Sequence, residues 1–176
     1  MTGPAVVAGG VVFLLARPVV GGLPSAVVVL AVGYLALLVG GLAVPARPEQ
    51  AETAPLGWPL PLVVGVGAVV GATIVGGPVA DRRVGVAAGG LAVLAAVAEE
   101  VLFRRVLYER LLRFGVVVAV IGSAVGFALV HLPAYGLAAM PVDLGAAMLL
   151  SWQRYASGRW TVPAVTHAVA NLLAVT

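Results

Sequence analysis

Residues 21–44 read GGLPSAVVVLAVGYLALLVGGLAV, 24 positions without a charged side chain. Wound as an α-helix at 1.5 Å per residue, such a stretch extends about 36 Å, enough to cross a hydrocarbon layer of ~30 Å. Outward from it, further apolar runs occupy residues 3–16, 58–80, 84–98, 114–130, 132–150 and 161–176. Each crossing needs about 20 residues, so the runs predict one all-α domain, a multi-spanning transmembrane helical bundle of about six or seven helices. The run at 3–16 is short for a span, and six crossings fit as well as seven.

Composition agrees. Of the 176 residues, 62% are hydrophobic and 10% charged, against roughly 25% charged in soluble domains. The mean hydropathy is +1.13. Ten arginines and no lysine give a net charge of +3, yet the arginines lie between apolar runs, where they flank membrane segments and contact lipid headgroups. That placement argues against nucleic-acid binding. Lack of cysteine removes disulfides and thiolate metal sites. The first run has no basic stretch ahead of it, so it reads as a retained span ending at Arg17-Pro18 and not as a signal peptide. Counting arginines on alternate sides of seven spans puts Arg47, Arg104, Arg105, Arg110, Arg113, Arg154 and Arg159 inside and Arg17, Arg82 and Arg83 outside, which favours an inside N-terminus. The expected location is the cell membrane, as a multi-pass protein.

The segment PARPEQAETAP at 45–55 cannot continue a helix in lipid, because its prolines and charges break it. It divides the chain into an N-terminal unit of helices and loop, residues 1–57, and a core, residues 58–176.

Ionisable groups within membrane helices cost at least ~2.5 kcal/mol each and are functional candidates by default. Here they form three sets: Glu99-Glu100-Val-Leu-Phe-Arg104-Arg105, then Phe127-Ala-Leu-Val-His131, then His167-Ala-Val-Ala-Asn171. Both histidines of the chain belong to them. A helical stretch from Glu99 to a break near Arg113-Phe114-Gly115, and one of similar length back to His131, put Glu99 and His131 at one depth of an antiparallel hairpin. His167 and Asn171 are four apart and share a helix face, as do Glu100 and Arg104, whose order suits an ion pair that orients Glu99. Taken singly, each set has a plain reading: a solvated helix end, a packing histidine, interhelical glue. Together, at compatible depths in three helices, they favour function.

The chemistry this set allows is hydrolysis. A Glu withdrawn from bulk water can take a proton from a water molecule and return it to a leaving amine. The imidazoles of His131 and His167 could position that water or coordinate a divalent metal such as zinc, and the Asn171 amide could donate to the oxyanion. Neither Ser123 nor Ser151 carries a nucleophile-elbow signature, which argues against an acyl-enzyme. Asp143 reads as facing a watery cavity, and Arg105 as a headgroup contact.

The three motifs, Glu-Glu-xxx-Arg at 99–104, Phe-xxx-His at 127–131 and His-xxx-Asn at 167–171, preceded by Gly158-Arg-Trp160-xx-Pro163, resemble the CPBP family. These CAAX-protease and bacteriocin-processing intramembrane proteases, also called Abi proteins, are related to the prenyl-protein type II CAAX endopeptidase. The resemblance covers residues 84–176. It implies Glu99 as the acid/base, His131 as its partner in binding water, His167 and Asn171 completing the site with Asn171 as oxyanion donor, and Glu100 with Arg104 as positioning residues. Metalloprotease and glutamate-type chemistries are both implied for such a family. The expected partners are membrane lipid and a membrane-anchored, CAAX-type protein or peptide substrate. A non-catalytic scaffold or immunity-type protein keeping the same fold is the alternative, and a proton-coupled transporter the weaker third reading.

Overall fold

The computed structural model describes residues 2–45, 54–76 and 86–175. Most of the expected loop at 45–55, the boundary at 57–58 apart, lies outside these residues, as do Arg47, Arg82 and Arg83.

The chain is helical throughout its described residues. In order come α1 (Gly3–Gly21), α2 (Ala26–Ala43), α3 (Pro59–Gly76) and α4 (Val86–Glu100). A π-helical segment, Val101–Leu107, runs on from α4 into the single turn α5 (Tyr108–Leu111) and a 3-10 turn, Leu112–Phe114. Then follow α6 (Val116–Tyr135), a 3-10 turn at Leu137–Ala139, α7 (Met140–Ser157) and α8 (Thr161–Val175). Four of these, α1, α2, α3 and α6, are long and apolar enough to cross a membrane. Their outward faces are apolar too: Val19, Ile74 and Val75 are among the most exposed side chains, as a lipid-facing surface requires.

The expected break falls where the sequence places it. Gly115 adopts φ +105°, a conformation that side chains rarely take, and α6 starts at the next residue. The run from α4 to Phe114 and the return along α6 therefore form the hairpin that brings Glu99 to the level of His131. The other expected break does not occur. α1 continues through Pro18 to Gly21, so the first helix has 19 residues and reaches span length.

Inside the bundle, α4 packs along α8 and α2, α6 along α7, and α3 against α8 and α7. α1 covers α2 and α6. The core joins Leu14 and Leu37 of the N-terminal pair to Leu102, Phe103, Phe127 and Val130. Close approach of α2 to the π segment depends on Gly41, where an added Cβ would sit 2.4 Å from Val101 Cγ1.

Several arginines counted above for orientation turn inward instead. Arg105 donates to the carbonyls of Gly41, Leu42 and Val44, satisfying the open C-terminal end of α2. It therefore caps that helix. Arg154 is buried and donates from Nε to the Arg104 carbonyl at 3.0 Å.

Candidate active site

The site grows from the last turn of α4. Glu99 and Glu100 are adjacent, so their side chains leave the helix about 100° apart and enter different surroundings. Both are buried.

Glu100 turns toward α7 and α8. Its Oε1 accepts from Arg104 Nη1 at 3.0 Å and from His167 Nδ1 at 2.9 Å. Arg104 is fully buried, donates from Nη2 to the Ala147 carbonyl at 3.0 Å, and lies over the Phe127 ring with 4.7 Å to its centroid. The expected helix pair is thus present, but the side chain it holds is His167 and not, as the sequence suggested, Glu99. Because a carboxylate only accepts, the His167 Nδ1 carries the hydrogen, which leaves Nε2 as an acceptor in the neutral ring. His131 is fixed in the same sense: its Nδ1 donates to the Phe127 carbonyl at 2.8 Å. Both imidazoles are braced by Phe127, stacked on His131 at 4.3 Å between centroids and edge-on to His167 at 5.5 Å.

The two free Nε2 atoms converge on Glu99. Oε2 of Glu99 is 3.6 Å from His131 Nε2 and 4.0 Å from His167 Nε2. These separations exceed a hydrogen bond and leave room for a water that donates to two of these three acceptors. Oε1 of Glu99 accepts from Arg17 Nη1 at 2.6 Å, and the Tyr34 hydroxyl lies 3.4 Å from it. Asn171 shares the face of α8 with His167 but donates from Nδ2 to the Ala92 carbonyl of α4 at 3.1 Å. One of its two N–H groups is thereby engaged, and the other is left over.

Two cavities meet at this cluster. One, of about 340 Å³, is lined by Val69, Phe127, Leu149 and Leu150, with Asp143 at its wall. The other, of about 310 Å³, is lined by Arg17, Tyr34, Ala92 and Glu99. His131, His167 and Asn171 line both. Ser123 and Ser151 bond to each other at 3.0 Å, as helix-packing polarity would.

As a metal centre the residues do not fit. Among the described residues no group of three or more His, Cys, Asp or Glu is arranged to hold an ion. The carboxylate nearest to His131 and His167 already carries a guanidinium at 2.6 Å, whose charge opposes a divalent cation beside it.

Sequence reading brings together Glu99, Glu100, Arg104, His131 and His167, all found within one connected cluster, with Asn171 at its edge. It misses Arg17 and Tyr34. The signal for Tyr34 was a phenol in an otherwise apolar 24-residue run; for Arg17 it was a charge followed directly by proline.

Among known proteins, the family model described as type II CAAX prenyl endopeptidase Rce1-like matches residues 83–173, just over half of the chain. No curated protein and no solved structure matches it. With four helices of span length, the matched chain is an integral membrane protein.

Proposed function

The chain belongs to the Rce1-like type II CAAX prenyl endopeptidase family, and on that premise we propose that it hydrolyses a peptide bond of a membrane-associated, CAAX-type substrate with Glu99 as acid/base. The observation that carries this reading is the convergence of Glu99 Oε2 with two imidazole nitrogens, each fixed as an acceptor, where two cavities meet.

In this mechanism a water donates one hydrogen to Glu99 Oε2 and the other to His131 Nε2. Glu99 takes its proton as the water oxygen attacks the scissile carbonyl carbon, which forms the C–O bond and places negative charge on the carbonyl oxygen. The neutral imidazoles offer no N–H on the side facing Glu99. The uncommitted N–H of Asn171 is therefore the donor for that oxyanion. The C–N bond then breaks, and Glu99 returns the proton to the leaving amine. Glu100 and Arg104 serve by holding His167. In this reading the proton transfers need no metal, and the Arg17 guanidinium at 2.6 Å from Glu99 opposes a divalent cation there.

Residues 58–176 form the proposed catalytic core, with the helices of residues 1–57 walling the site. The cavity lined by Val69, Leu149 and Leu150 is apolar enough to take a lipid chain attached to the substrate, and the protein would work as a multi-pass protein of the cell membrane. Cleavage of prenylated and membrane-anchored peptides by the purified protein in lipid tests the reading. Wild type should cleave, Glu99→Gln and His131→Ala should lose at least ~10²-fold in rate, and a chelator should leave the rate unchanged. Full activity in a folded Glu99→Gln protein would refute the mechanism, and an inert wild type would favour the non-catalytic scaffold.

A further inference from the structure

Pro18 lies inside α1. Its ring nitrogen carries no hydrogen, so the carbonyl four residues earlier, that of Leu14, loses its helical donor. Arg17 Nε supplies the replacement, donating to Leu14 O at 3.1 Å. That bond anchors the guanidinium at its base, and its Nη1 then reaches the Tyr34 hydroxyl at 2.9 Å and Glu99 Oε1 at 2.6 Å.

Glu99 therefore has two unlike oxygens. Oε1 is held by a guanidinium and approached by a phenol, while Oε2 is the one that faces His131 and His167. The geometry points to Arg17, set by Pro18 and braced by Tyr34, as a positioning residue that fixes the Glu99 carboxylate so that Oε2 alone is presented to the reaction. This rests on the reading of Glu99 as the base. A carboxylate without such a hold turns about its last bond and exchanges its oxygens, and misplacement by about 1 Å costs ~10²-fold in rate. α1 and α2, which supply Arg17 and Tyr34, lie outside the residues matched to the family, so the three motifs alone do not complete this base.

Carbodiimide labelling of the full chain in lipid nanodiscs, quantified at Glu99 by mass spectrometry, reads the hold without turnover. The reagent adds to protonated carboxyls and spares ion-paired carboxylates. Glu99 should label about tenfold faster in Arg17→Gln than in wild type, near the wild-type rate in Arg17→Lys, and at an intermediate rate in Pro18→Ala, which restores the helical donor and frees Arg17 Nε. Equal labelling of wild type and Arg17→Gln overturns the assignment. On a prenylated peptide, Arg17→Gln should lower kcat about 10²-fold with KM nearly constant, and Arg17→Lys should recover much of it. A change in KM alone overturns the positioning role. Absence of cleavage by wild type, with the labelling pattern intact, sinks the peptidase reading and leaves the hold on Glu99 standing.

Discussion

Replacing Arg104 with Met removes a cation from the most enclosed part of the molecule while keeping an unbranched side chain of similar reach. Arg104 and Glu100 are both fully buried, and their charges are 3.0 Å apart. With an effective dielectric of about 20, that separation corresponds to roughly 5 kcal/mol of attraction. Desolvation of both ions offsets most of it, so the pair itself contributes little net stability. The single substitution behaves differently, because it strands Glu100 without its cationic partner and removes the second donor to the Ala147 carbonyl. A buried pair broken on one side costs about 3–5 kcal/mol. Arg104→Met should therefore destabilise by that amount in denaturant or thermal unfolding of the protein in lipid. Adding Glu100→Gln removes the stranded charge, and the double variant should recover more than half of the loss. Its activity should stay low, since His167 Nδ1 then bonds a neutral amide oxygen. A single-variant cost below about 1 kcal/mol, or a double variant no more stable than the single, would refute the argument that the ion pair is buried and mutually dependent.

Asn171→Ala should lower kcat by about 10²–10³-fold with little change in KM on a prenylated peptide, as expected for a donor to charge that exists only in the transition state; equal effects on a ground-state analogue's binding would count against the role. Gly41→Ala should destabilise by about 1–3 kcal/mol, because the new methyl meets Val101 Cγ1 at 2.4 Å, and Val101→Ala in the same chain should relieve most of it in unfolding measurements.

The residues legible in the sequence were those whose meaning is local. A charge or imidazole inside an apolar run costs free energy wherever the fold places it, so Glu99, Glu100, His131 and His167 stood out at once. The pairing of Glu100 with Arg104 follows from the four-residue helical repeat. Arg17 and Tyr34 were not legible, because their common partner lies 82 and 65 residues along the chain. Arg17 also stood before a proline, which reads as a helix end. The helix continues because the arginine itself occupies the carbonyl that the proline abandons. Asn171 was placed correctly on its helix face, but the Ala92 carbonyl that takes one of its hydrogens carries no sequence signature. A count of arginines is blind for a related reason: Arg105 and Arg154 donate to backbone carbonyls inside the bundle, which no tally of positions registers.

The wide turn at Val101–Leu107 makes the number of residues a functional variable. A π turn holds roughly one residue more than an α turn, and it sits between the two glutamates and the hairpin that returns to His131. Deleting Val106, which follows the Glu100–Arg104 pair, would let the helix tighten to regular α geometry. That tightening leaves the rotation nearly unchanged, so Glu99 would still face the imidazoles; loss of a second residue from the tightened turn would swing everything before it by about 100° relative to α6, carrying Glu99 off that face. No side chain of the site would have been altered, yet its parts would no longer meet. Elsewhere in the bundle, loops can absorb lost residues; here the wide turn has room to lose one and no more.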